Sequence, residues 1–206
     1  MDTVELSKLT GSTIGHYQHN ATDYRDGTWG HDVSQNRAAL VTALGDKAPC
    51  RILDFGCGPG RDLLAFKALG IEAVGLDGSE EFCNMAREAS GCQVLQQNFI
   101  SLNLMATTYD GIFANASLFH VPTQELPRIL RELNAALKPK GILLTSNPRG
   151  NDEQGLQGER FGAYHSPDTW TALLQQAQFE PIEHYYRPKG LPRHQQPWFV
   201  SVWRKK

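Results

Sequence analysis

The sequence predicts an α/β protein built on a doubly wound, seven-stranded, mostly parallel sheet. Three observations carry this expectation. Short β-branched or apolar runs alternate with helical patterns between Arg51 and Asn147, which is how a parallel sheet covered on both faces reads. A glycine-rich turn, Gly56-Cys57-Gly58-Pro59-Gly60, follows the first of these runs. Two strand-like runs then close the chain with no helix between them, so they can pair as an antiparallel hairpin at the sheet edge.

Taken in order, "TIGHYQHNATDYRDGTW" reads as a polar segment and "DVSQNRAALVTALG" as one amphipathic helix. Together they form an N-terminal helical cap or lid over residues 1–48, with the sheet core at 49–206 in the same single domain. Strands are expected at 51–55, 71–77, 92–98, 109–115 and 141–147, and helices at 61–69, 79–89 and 123–138. In the last helix Leu126, Ile129, Leu130, Leu133 and Leu137 fall on one face. Pro127 sits in its first turn, where the missing N–H costs little. Lys138-Pro139-Lys140-Gly141 stops it. A further helix opens at Ser166 as N-cap with Pro167 behind it. The closing strands are 180–187 and 197–205, joined by the turn-rich "PKGLPRHQQ".

Composition narrows the partners. The 206 residues carry a formal net charge of −2, which gives no electrostatic case for a nucleic-acid backbone. No run approaches the roughly 18 apolar residues of a membrane span. The N-terminus lacks a basic segment followed by an apolar run. Cys50, Cys57, Cys83 and Cys92 show neither C-x-x-C nor zinc spacing, so reduced thiols in a cytoplasm are expected. His16, His19 and His31 lack an accompanying carboxylate–histidine pattern, and no metal site is expected. A small-molecule partner remains, with the chain as monomer or homodimer.

In an open α/β sheet the ligand crevice lies beyond the carboxyl ends of the strands. Gly56, Gly58 and Gly60 allow backbone N–H groups to approach a ligand there, and the helix start beyond them favours anionic groups. A dinucleotide site wants G-x-G-x-x-G; here Arg61 occupies the third glycine's place, and Asp54 precedes the first glycine by two residues. Asp77 ends the second strand, where a carboxylate can accept from both hydroxyls of a ribose. Its other reading is an N-terminal residue of the next helix. Loop and acid together indicate an adenosine cofactor without separating NAD from other adenosine carriers.

Beyond these residues, "ILDFGCGPGRD", "GLDGS", "YDGIFANASLFHVP" and "LKPKGILLTSN" occur in order, ahead of the closing hairpin. In this the chain resembles class I S-adenosylmethionine-dependent methyltransferases over residues 15–206. It is most similar to their small-molecule branch, which includes ubiquinone-type and tellurite-resistance methyltransferases. The resemblance implies a Rossmann-like fold, S-adenosylmethionine as cofactor and S-adenosylhomocysteine as product. It implies that Gly56 and Gly58 pack against the methionyl part, with Asp54, Gly60 and Arg61 in the same loop. It also implies that Asp77 binds the ribose, that Gly78 and Ser79 lie close to the adenosine, and that Asn98 and Phe99 flank adenine. Asn115 would lie beneath the sulfonium. The adenine position is usually aspartate in this family; Asn98 accepts more weakly than a carboxylate.

Acceptor residues must lie past the strand ends. Asn115, Ser117 and His120 follow the fourth strand; a long loop over 147–165 carries Asn147, Arg149, Arg160, Tyr164 and His165. Tyr17 and Tyr24 come from the cap, and Tyr186 from the final hairpin. Catalytic roles fall to His120, Asn115 and Tyr17. His120 has two readings, a base or acceptor-orienting group and a structural histidine bonding a loop carbonyl. Arg149 likewise reads as a carboxylate fork or a solvated loop residue. The absence of N/D-P-P-Y/W in "NASLF" argues against exocyclic base nitrogens as acceptors. The expected reaction is methyl transfer to a small polar molecule, amino-acid-like or heterocyclic, at nitrogen, oxygen or sulfur. The alternatives are an NAD-type oxidoreductase and a non-catalytic cofactor-binding module.

Overall fold

The computed structural model describes residues 1–46 and 49–206, so the expected boundary at residue 48 lies outside the described residues. Seven strands form the main sheet: β1 (Arg51–Phe55), β2 (Glu72–Asp77), β3 (Gln93–Gln96), β4 (Tyr109–Asn115), β5 (Leu137–Pro148), β8 (Phe179–Arg187) and β9 (Trp198–Lys205). Their order is β3-β2-β1-β4-β5-β9-β8. β1 to β5 pair in parallel, whereas β9 runs antiparallel to both β5 and β8. Strand order reverses at β1 and β4, which leaves a crevice at their carboxyl ends.

Both faces of the sheet are covered, which is why β1 is apolar from Ile52 to Phe55 apart from Asp54. On one face Leu53, Phe55 and Trp203 pack with Leu130 and Leu133 of α6 (Leu126–Ala136) and Trp170 of α7 (Pro167–Gln176). On the other, Ile52, Phe113 and Leu144 meet Leu40 of α3 (Ser34–Leu44), Leu63 and Phe66 of α4 (Arg61–Ala68) and Cys83 of α5 (Glu80–Ser90). Each fully buried leucine or phenylalanine contributes about 1.5–3 kcal/mol. Ser79 and Ser166 cap α5 and α7 by accepting the N–H groups of Phe82 and Thr169.

Three expectations are corrected. The polar N-terminal segment is helical, as α1 (Thr3–His19) and α2 (Ala21–Thr28). Asp2 starts α1 by accepting from Val4 and Glu5 while Glu5 accepts from Asp2, a reciprocal capping box. The residues α1 buries are Leu6, Thr10 and Thr13, so its inner face lacks an apolar stripe. The segment 147–165 is not an open loop: β6 (Glu153–Gln157) and β7 (Arg160–Tyr164) form a separate hairpin turned by Gly158 and Glu159. Finally, α6 ends at Ala136 and β5 begins at Leu137, earlier than the expected start at 141.

Helix α1 lies across the crevice. Its Thr13 hydroxyl accepts from the Phe161 N–H of β7 at 2.9 Å, and its Ser12 hydroxyl donates to the Glu159 carbonyl at 2.9 Å. Among the described residues no helix is long and apolar enough to cross a membrane.

Candidate functional site

The glycine turn is held from below. The N–H groups of Gly56 and Cys57 both donate to the Leu76 carbonyl, at 2.8 and 3.0 Å. Gly56 has φ +79°, and a Cβ there would overlap the Ser117 side chain. Gly60 has φ +92°, and its Cβ would stand 2.7 Å from the Ala86 backbone, so this glycine lets α4 and α5 approach. Gly58 differs: at φ +51° its missing Cβ faces open space.

Asp77 closes the turn on its other side. One carboxylate oxygen accepts from Gly58 N–H and the other from Ser79 N–H, each at 3.0 Å. Burial raises its pKa to about 6 against the pull of those N–H groups. Beneath the turn, Asp54 is buried with one oxygen lacking a hydrogen-bond partner among the described residues. Burial, with Asp62 nearby, raises its pKa well above the carboxylate range.

Two chambers open above this frame. The inner one has Asp77, Gly78 and Ser79 at its base, Asn98 and Phe99 on one side, and Ser117 on another. It encloses about 80 Å³, less than the roughly 300 Å³ at which ligand sites begin, because α1 projects Thr10, Ile14 and Tyr17 into it. The outer chamber, about 780 Å³, is bounded by Arg61, Asn115, Phe119, Arg160, Tyr164 and Trp198 among others. Gly56, Gly58, Ala116, Tyr17, Tyr24 and His120 line both chambers.

At that junction the Tyr17 hydroxyl lies 2.9 Å from His120 Nε2, and His120 Nδ1 lies 2.6 Å from the Phe161 carbonyl. A carbonyl can only accept, so Nδ1 carries the hydrogen and Nε2 accepts from Tyr17. His120 thus bonds a loop carbonyl and faces the chamber at once, joining its two expected readings. Burial lowers its pKa to about 4, and burial with neighbouring Tyr24 raises that of Tyr17 to about 12. Both groups are neutral at pH 7. Tyr24 packs edge-on to Tyr17 with ring centroids 5.3 Å apart, and burial raises its pKa as well.

Other expected residues have firm partners. Asn115 accepts from Asn36 at 2.8 Å, and Asn36 accepts from the Tyr185 hydroxyl at 2.9 Å. Ser117 lines the inner chamber and donates its hydroxyl to the Phe55 carbonyl at 2.6 Å. Ser79 also donates to Gln18 of α1. Asn98 donates to Thr10 and its oxygen accepts from Ile100 N–H. Arg61 ties α4 to the Thr28 carbonyl and pairs with Asp62.

The structure does not bring Asp54, Gly60, Asn147, Arg149 or Tyr186 to either chamber. Asn147 is buried on β5 beside Phe199. Arg149 donates to the carbonyls of Gln196 and Arg193, and its guanidinium lies over the Tyr186 ring, so the pair fastens the β8–β9 connector. Thr10, Ile14, Asn36 and Phe82 were not anticipated at the site. Asn36 left a signal, a polar residue on the apolar face of α3; the α1 residues left only the capping box that starts their helix.

Residues 25–184 match a family described as "Methyltransferase domain". The chain belongs to that family. Arg61 in place of a third glycine accords with this family rather than with the dinucleotide alternative. The chain is 37% identical over 125 residues to a trans-aconitate 2-methyltransferase of Variovorax paradoxus (strain S110), covering 57% of this chain and 46% of the relative. It is 33% identical over 127 residues to a protein of the same name from Azoarcus sp. (strain BH72), covering 60% and 47%. The chain therefore spans about half the length of the curated relatives it matches. Among solved structures, it shares the fold of a Burkholderia thailandensis 1,6-didemethyltoxoflavin-N1-methyltransferase holding 1,6-didemethyltoxoflavin and S-adenosylhomocysteine. The TM-score is 0.79 at 22% identity, covering 98% of this chain and 90% of the other.

Proposed function

We propose that this chain binds S-adenosylmethionine in the inner chamber and methylates a small polar molecule in the outer one. The observation that carries the reading is the junction, where Gly56, Gly58, Ala116, Tyr17, Tyr24 and His120 border both chambers. Ligands held in the two chambers would meet there.

The residues fit the cofactor. Asp77 retains lone pairs beyond those given to Gly58 and Ser79, enough to accept from ribose hydroxyls. Phe99 and Phe82 supply apolar walls beside Asn98. The orphaned oxygen of Asp54 lies below the turn, a buried polar atom that a water or a polar group arriving above it would satisfy. The narrow inner chamber implies that α1 shifts to admit the nucleoside, so α1 acts as a lid.

Bound S-adenosylmethionine supplies an electrophilic methyl group on a sulfonium. The chain supplies position and dryness. Near-attack alignment of two reactants is worth about 7–11 kcal/mol of barrier. Tyr17 and His120 fix each other at the junction in neutral forms, and with its pKa near 4 the imidazole orients better than it abstracts protons. Asn115, anchored through Asn36 and Tyr185, presents a fixed polar edge from β4.

A [4+2]-cyclase shares this fold at 17% identity and a TM-score of 0.67, so fold alone does not name a reaction. The test is calorimetric titration with S-adenosylmethionine, S-adenosylhomocysteine and NAD, followed by methyl-transfer assays on small acceptors. Binding of the two sulfur ligands but not NAD, with transfer, is expected. Binding without transfer to any acceptor would instead support a regulatory module.

A further inference from the structure

The outer chamber has a charge pattern that methyl transfer alone does not explain. Of the cations facing it, Arg61 is paired with Asp62, and Arg187 donates to the Asp32 carbonyl. Arg160 lines the outer chamber and forms no ion pair among the described residues, and its positive charge is felt at Tyr17, Tyr24 and His120. The two acids on the same walls are already served: Asp62 is spanned by Arg37 at 2.5 Å and Arg61 at 2.7 Å, and Asp32, at the rim, accepts from Ser34 N–H at 2.9 Å. An uncompensated guanidinium thus stands on the wall of the chamber that Tyr17 and His120 also line. The same chamber is lined by the aromatic residues Trp29, Phe119, Tyr164 and Trp198.

We propose that the acceptor is a flat, unsaturated or aromatic carboxylate, held at the junction by Arg160 and methylated there to an ester. The proposal rests on the methyl-transfer reading of the same site and names its substrate class. One carboxylate oxygen accepts from the guanidinium, a geometry to which arginine is suited. The other forms a bond to the methyl carbon as the carbon–sulfur bond breaks, its electron pair passing to sulfur. The products are a neutral ester and S-adenosylhomocysteine. The sulfonium's positive charge and the carboxylate's negative charge disappear together, and no proton is released. The acceptor arrives without a proton to lose, so no base is required, in keeping with a His120 whose Nε2 already accepts from Tyr17. The ester no longer pairs with Arg160, which favours its departure.

The test uses the full chain with methyl-tritiated S-adenosylmethionine and three acids, trans-cinnamate, benzoate and trans-aconitate, with cinnamamide and benzamide as uncharged counterparts. Label should enter the acids in a form that mild alkali releases as methanol, without net proton release in a weakly buffered indicator assay, and the amides should stay unlabelled. Arg160→Gln should raise KM for the acids about 30-fold, the loss of one charge-assisted hydrogen bond, with partial recovery in Arg160→Lys. Calorimetry of trans-cinnamate binding to the S-adenosylhomocysteine complex should show the same loss without turnover. Alkali-stable label on amines, thiols or phenols alone would overturn the carboxylate proposal, and so would a complex that binds S-adenosylhomocysteine but no acid. Both outcomes leave the methyl-transfer reading standing. A wild-type chain that binds neither sulfur ligand would instead overturn that underlying reading.

Discussion

The Tyr17 hydroxyl donates to Nε2 of His120 across 2.9 Å, joining helix α1 to the turn beyond β4. The same imidazole donates from Nδ1 to Phe161 on the β6–β7 hairpin, so three separate segments meet on one ring. Tyr17→Phe removes the donor and leaves Nε2 facing the chamber. It should cost about 1 kcal/mol in chemical denaturation, the net worth of one hydrogen bond, and lower kcat more than cofactor affinity. Equal kcat in the two proteins would remove Tyr17 from the junction's work.

Acid stability should report His120. Its folded pKa, about 4, lies below the ordinary value of 6.5, so between those values the unfolded chain binds more protons. Stability from this group is present above pH 6.5 and is lost as pH falls toward 4. Asp77 works in the opposite sense. Its folded pKa, about 6, lies above the ordinary 3.8, so the ligand-free fold binds the extra proton and this contribution weakens as pH rises from 4 to 6. Comparing His120→Gln with the parent chain in urea melts at pH 4.5 and pH 7 isolates the first effect. The variant's stability should change less across that interval.

Asp77 also sets cofactor affinity. Asp77→Asn should weaken S-adenosylhomocysteine binding by about 100-fold, the cost of losing hydrogen bonds to a charged acceptor. The parent chain should bind more weakly as pH drops below about 6, where the carboxylate takes up its proton; the asparagine variant should be flat through the same range. Calorimetry at pH 5, 6 and 7.5 reads both.

Two glycines of the turn separate packing from binding. Gly60→Ala drives a Cβ to 2.7 Å from the Ala86 backbone at φ +92°, and should destabilise the fold by about 1–3 kcal/mol. Gly58→Ala meets open space and bears only the strain of its φ, about 1–2 kcal/mol. Because it points at the chamber, it should weaken cofactor binding more than Gly60→Ala does in whatever fraction stays folded. Thermal melts and titrations on both variants rank the effects.

If α1 is a lid, its side chains limit entry. Ile14 stands where a Cβ on Gly78 would meet it at 2.9 Å. Ile14→Ala should speed S-adenosylhomocysteine association several-fold in stopped-flow fluorescence. An unchanged rate would mean that entry bypasses α1.

The sheet was legible because its strands and covering helices obey simple periods, from the buried run of β1 to the single apolar face of α6. The cofactor side was legible for a different reason, since close backbone approach demands Gly56, Gly58 and an acid at the β2 end. Helix α1 escaped detection because, Leu6 and Ile14 apart, its inward face is Thr10, Thr13 and Tyr17, side chains turned toward chambers and hydrogen bonds rather than into an apolar core. β6 gave no strand pattern because all five of its residues are exposed. Arg149 and Tyr186 looked equivalent to Arg160 and Tyr164 in sequence. Pairing decided between them, since Arg160 and Tyr164 line the outer chamber while Arg149 is taken up by the Gln196 and Arg193 carbonyls and the Tyr186 ring.

The most direct measurement is a crystal structure of the chain with S-adenosylhomocysteine. The account predicts the adenosyl group between Asp77 and Phe99, with the sulfur at the junction facing Tyr17, His120 and the Arg160 chamber. A nucleoside bound elsewhere, or a sulfur turned away from the outer chamber, would contradict it.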